Sequence, residues 1–121
     1  MVNERRILVA YDGSEEAYWA LMQAADTARA KGAAIGVVTV LPKLATAAAD
    51  AAEILREHQL EATVHTPIGD PVTEIARVAH EHAYDAIYVG RREAGSFGRT
   101  LQESVSDGVV QASARTTVIA R

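Results

Sequence analysis

The 121-residue chain contains no cysteine, which excludes disulfides, thiolate catalysis and cysteine-ligated zinc. Positive charge is in short supply. Twelve Lys and Arg stand against sixteen Asp and Glu, for a net charge of −4 with both signs spread along the chain. That distribution offers no basic footprint, so no nucleic-acid partner is expected. Long apolar runs are also missing. The charged residues 1–6 are followed only by Ile7 to Ala10, too short for a signal-peptide core or a membrane span, so no membrane association and a cytoplasmic location are expected. There is no Gly-x-Ser-x-Gly elbow, no Gly-Lys-(Ser/Thr) phosphate loop and no His-Glu-x-x-His. No nucleophile–base pair can be assembled, and the expectation is a protein that is not an enzyme.

At 49% hydrophobic residues the chain can fill a core, and its length suits one domain over residues 1–121. Strand-like and helix-like segments alternate throughout. Ile7 to Ala10 reads as a strand ending at Asp12, Gly13 and Ser14. Ser14 is placed to cap the next helix, whose positive end suits Glu15 and Glu16. Ala17, Leu21, Ala24, Ala25 and Ala28 give that helix its apolar stripe, and Lys31 with Gly32 stops it. Residues 34–41 form a β-branched second strand closed by Pro42. An alanine-rich helix is expected over 44–58, then an alternating, half-exposed strand over 61–66. Asp70 and Pro71 open a third helix that packs through Ile75, Val78 and Ala79 to about His82. Residues 86–89 are the fourth strand, 100–114 the last helix and 116–120 the last strand.

Repeated strand–helix–strand units imply an α/β fold, an open parallel sheet with helices on both faces. Strands one, two and four are almost wholly apolar, as central strands are, whereas three and five look like edges. The expected order is therefore 3-2-1-4-5. Its switch point lies between strands one and four, where ligands bind beyond the strand ends. Asp12 and Gly90 occupy those two ends.

The turn after strand four, Gly90, Arg91, Arg92 and Glu93, and the later Glu103, Ser104, Val105 and Ser106, lie where α/β folds hold phosphates. With Arg6 to Ser14, Gly69 to Pro71, Asp85 to Arg92, Glu103 to Ser106 and Thr116 to Ala120, the chain resembles the universal stress protein family over nearly its whole length. The resemblance implies a Rossmann-like five-stranded fold, a homodimer joined through the last strand, and in many members ATP bound at the switch point. The family's nucleotide motif, Gly-x2-Gly-x9-Gly-(Ser/Thr), falls here on Gly90, Glu93, Glu103 and Ser104. Two of its three glycines are glutamates with the spacing intact. Its base-side positions fall on Asp12 and Val40.

Glycine suits a phosphate loop because the backbone amides must approach the anion with no Cβ in the way. A carboxylate about 5 Å from a phosphate charge, at an effective dielectric of about 20, costs roughly 3 kcal/mol. Weak or absent ATP binding is expected, with any residual affinity favouring AMP. Arg91, Arg92 and Arg99 are available to neutralise the glutamates, and both glutamates pointing to solvent is the simpler alternative. Gly95 to Gly98 reads either as a displaced anion nest or as a plain turn. Asp12 either meets an adenine amine or ribose hydroxyl, or fixes its own turn through local amides. His80 and His82 do not share a helix face, so no metal site is expected, and His58 and His65 read as surface residues. An exposed Trp19 would hint at a partner surface. The unpaired edge expected at Thr116, Val118 and Ile119 calls for a second copy.

Overall fold

The computed structural model describes residues 6–40 and 46–90, together with the backbone of residues 116–120. Four parallel strands form its sheet in the order β3-β2-β1-β4: β1 (Arg6–Ala10), β2 (Ala34–Val38), β3 (Ala62–His65) and β4 (Ala86–Gly90). β1 is central. Ile7, Leu8 and Val9 lie opposite Ile35, Gly36 and Val37 on one side, and opposite Ala86, Ile87 and Tyr88 on the other. This part of the expected order stands. The backbone of β5 (Thr116–Ala120) runs parallel to β4, with Val118 opposite Tyr88.

The helices divide between the two faces because strand side chains alternate. Ile7, Val9, Ile35, Val37 and Tyr88 point toward α1 (Glu15–Lys31) and α2 (Ala47–Glu57). Leu8, Ala10, Val38, Ile87 and Val89 point toward α3 (Pro71–Glu81). Strands covered on both faces must be apolar throughout, hence the unbroken hydrophobic runs of β1, β2 and β4. α1 buries Ala17, Ala20, Leu21, Ala24, Ala25 and Ala28, a mostly methyl-sized surface that lets the helix axis approach the sheet closely. β3 is the exposed edge that its alternating sequence suggests, with Val64 42% exposed.

Local chemistry sets the helix ends. The Ser14 hydroxyl accepts from the Ala17 amide at 3.1 Å. Gly32 closes α1 in the left-handed region at φ 67°. The Asp70 carboxylate accepts from the Thr73 amide at 3.0 Å, and Pro71 follows it in the first turn of α3. Two other helix exits use left-handed residues that are not glycine, Gln59 at φ 65° and Ala83 at φ 55°. β2 stops at Val38, short of the expected 41, and α2 begins at Ala47, later than the expected 44. Leu41 to Ala45 and the expected last helix over 100–114 lie outside the described residues.

Candidate functional site

Three sequence-predicted positions meet at the carboxyl ends of the central strands. The β1–β2 register carried past Ala10 and Val38 sets Asp12 level with Val40. Gly90 is one step beyond Val89, the partner of Ala10 in β4. Hydrogen bonds tie these strand ends together. The Tyr11 amide donates to Val38 O at 3.0 Å, and the Thr39 amide donates to His65 O at 3.0 Å. The buried Thr39 hydroxyl donates to Tyr11 O at 2.8 Å.

Each of the three has a structural task in the folded chain. Asp12 is buried, and its Oδ1 accepts from the Ser14 amide at 2.9 Å. That bond closes the turn from β1 into α1 over Gly13, whose φ of 84° suits glycine. Of the two readings of Asp12, the turn-fixing one is therefore present. Val40 is also buried, packed in the α3-side core with Leu8, Ala10 and Ile75. Gly90 lies under the first turn of α1. A Cβ placed on it would sit 2.5 Å from both the carbonyl carbon and oxygen of Glu16, and 2.7 Å from the Ala17 nitrogen. Its missing side chain is needed for helix-on-strand packing whatever binds nearby.

Among the described residues this end carries acidic side chains. Glu15 and Glu16 occupy the first turn of α1, whose positive pole points here, and the Ser14 hydroxyl caps one of its free amides. Tyr11 is buried beside Asp12. Burial pushes its phenol above the ordinary range, and the Asp50 and Asp12 carboxylates and Tyr18 push the same way, so the ring stays neutral. The five remaining sequence-predicted positions, Glu93, Glu103, Ser104, Val105 and Ser106, lie outside the described residues, as does the Gly95 to Gly98 loop. Among the described residues no group of three or more His, Asp or Glu is placed to hold a metal ion. Nor is any helix among them long and apolar enough to cross a membrane.

A second cluster was not anticipated. Tyr84 is buried, and its ring reaches across the sheet until its hydroxyl rests where a Cβ on Gly36 would stand. The hydroxyl lies 2.8 Å from His65 Nε2. The His65 ring meets the His82 ring at a tilt of 47°, with centroids 4.5 Å apart. The Arg6 guanidinium lies over the Tyr84 ring at 4.8 Å, and its Nε donates to His82 O at 2.8 Å. His65 is thus half-buried and hydrogen-bonded, which corrects the expectation of a plain surface residue. Its signal in the sequence was Gly36, a lone glycine inside a β-branched strand, which marks a close approach. Elsewhere Trp19 is 50% exposed and packs edge-to-face on Tyr18, with ring centroids 5.6 Å apart.

Comparison with known proteins agrees with this architecture. No curated protein matches the chain. Among solved structures, a universal stress protein from Archaeoglobus fulgidus DSM 4304 is 26% identical with a TM-score of 0.78, over 97% of this chain and 44% of that one. A universal stress protein from Archaeoglobus fulgidus in complex with dAMP is 23% identical, with a TM-score of 0.75 and full coverage of both chains. A universal stress protein in complex with cAMP is also 23% identical, with a TM-score of 0.76, over 97% of this chain and 96% of that one. The sequence profile of the universal stress protein family matches residues 4–121, and the chain belongs to that family.

Proposed function

We propose that the protein is a regulatory or protective universal stress protein, not an enzyme, whose adenine-nucleotide site binds ATP weakly or not at all. One observation carries this reading. Glu93 and Glu103 stand where the family's motif spacing sets phosphate-facing glycines. Each brings a Cβ and a negative charge to a place that needs neither. The acidic first turn of α1 adds to the repulsion. Calorimetric titration with Mg-ATP and with AMP, on protein stripped of carried-over nucleotide, tests it. The expected result is no low-micromolar ATP binding, and any residual affinity falling in the order AMP, ADP, ATP. A low-micromolar dissociation constant for Mg-ATP refutes it.

The second reading is a sensor of AMP or ATP that uses Asp12, Val40, Gly90, Ser104 and the Gly95 to Gly98 loop. Its support is the buried base-side geometry at the switch point and the two relatives solved with adenine monophosphates. Slow ATP hydrolysis would be a variant of this reading.

In either case we place the protein in the cytoplasm, as a homodimer. Thr116–Ala120 serves as the fifth, edge strand, and two copies pair through Thr116, Val118 and Ile119. Support comes from the apolar, β-branched sequence of the segment and from its backbone register beside β4. An unpaired edge of that composition invites aggregation, and a two-fold pairing covers it.

A further inference from the structure

We propose that His65, His82, Tyr84 and Arg6 form an acid-sensitive latch that fastens the edge strand β3 to the turn between α3 and β4. This does not depend on whether a nucleotide binds.

The latch joins three elements. His65 is the last residue of β3, His82 and Tyr84 lie in the connection from α3 to β4, and Arg6 is the first residue of β1. In the neutral tautomer that carries its proton on Nδ1, His65 accepts the Tyr84 hydroxyl proton at Nε2 across 2.8 Å, and the two imidazoles meet at a tilt of 47° with centroids 4.5 Å apart. The groups facing His65 are cationic or neutral. Arg6 and His82 come from two different elements, and Tyr84 is a phenol held neutral by burial. The carboxylate on the Arg6 side, Asp85, accepts from the Arg6 backbone amide at 3.0 Å.

A proton on His65 has two effects. Starting from the Nδ1–H tautomer, Nε2 stops accepting, so the Tyr84 hydroxyl must turn and give up its donor role. A positive ring is also set against His82 and the Arg6 guanidinium, with His65 itself half-buried. Accordingly burial, then His82, then Arg6 hold the His65 imidazole below its ordinary range. Between that lowered value and the ordinary histidine value of about 6.5, the unfolded chain binds more protons than the folded one. The latch contributes in full above the ordinary value, and its contribution is lost as pH falls below it.

β3 is the element that should respond. It has four residues and pairs with β2 on one side only among the described strands. Short edge strands open locally at lower cost than central ones.

The experiment is carried out on the full chain. Histidine ring resonances are followed by NMR from pH 8 to 5, and amide exchange, corrected for intrinsic rate, is measured at pH 7.5 and 5.5. His65 is expected to titrate below the ordinary histidine value of about 6.5. Protection of the β3 amides should fall at pH 5.5 relative to those of β1 and β4. His65→Gln, which stays neutral and can still accept from Tyr84, should remove this selective loss, whereas His80→Gln should leave it in place. The proposal is overturned if His65 titrates at or above the ordinary histidine value of about 6.5, if β3 and β1 lose protection in parallel in the wild type, or if His65→Gln keeps the wild-type loss. Should His65→Gln fail to fold, His82→Gln replaces it. That variant removes the nearest second ring, so the selective loss must shrink, and an undiminished loss overturns the latch.

Discussion

Replacing Gly90 by alanine puts a methyl carbon 2.5 Å from the Glu16 carbonyl carbon and oxygen and 2.7 Å from the Ala17 nitrogen. All three are backbone atoms in the first turn of α1, so no side chain can swing aside. An ordinary contact begins near 3.4 Å, and the helix start would have to retreat by about 0.9 Å. It cannot do so alone. The Ala17 amide is held by Ser14, and the turn before it is closed by Asp12. The alanine face of α1 would lose contact with Val9 and Tyr88 beneath it. Overpacking of this kind typically costs about 1–3 kcal/mol. With a urea m-value of about 1–3 kcal/mol/M, the denaturation midpoint should fall by roughly 1 M with m unchanged. The assay is urea unfolding of nucleotide-free protein. Gly13→Ala serves as a comparison, since it meets no atom within 4 Å but must hold φ 84° at a cost of about 1–2 kcal/mol. If Gly90→Ala unfolds within about 0.5 kcal/mol of the wild type, as a surface change does, the packing account of Gly90 is wrong.

The double change Glu93→Gly and Glu103→Gly should raise ATP affinity in calorimetry; unchanged affinity in a folded variant would place the obstacle outside the motif. Ala83→Gly should stabilise the protein by about 0.5–1 kcal/mol in thermal unfolding, because φ 55° strains alanine and not glycine. Asp70→Ala removes the bond to the Thr73 amide and should destabilise by about 1 kcal/mol in the same assay. Val118→Pro deletes one ladder donor per chain and should turn a sedimenting dimer into a monomer at tens of micromolar; a folded mutant that stays dimeric would move the interface away from the last strand.

Where a residue's environment is set by its own element, the sequence was readable. β1 from Ile7 onward, β2 and β4 are covered on both faces, so their positions carry no charged side chain and the run announces itself. α1 carries its start in Ser14 and its stop in Gly32, each acting within a few residues. The end of β2 was not readable in this way. Thr39 and Val40 continue the β-branched run, but Thr39 turns its hydroxyl to Tyr11 O and its amide to His65 O, and these partners lie just past β1 and at the end of β3. The histidine cluster was hidden for the same reason. His65, His82 and Arg6 are distant in sequence, and only the sheet register and the reach of Tyr84 over Gly36 bring them together.

The same distinction bears on the nucleotide site. Asp12, Val40 and Gly90 match the family pattern, yet each answers a demand of folding: Asp12 closes a turn, Val40 fills the core, and Gly90 admits a helix. A chain that had stopped binding nucleotide would still need all three. Their presence therefore does not discriminate between a working site and an idle one. Discrimination must come from the positions that the family's motif gives to phosphate-facing glycines, and in this chain those are 93 and 103. A glycine there would speak for amides offered to phosphate, and a glutamate speaks against it. This is why the functional reading rests on two residues while the fold rests on dozens.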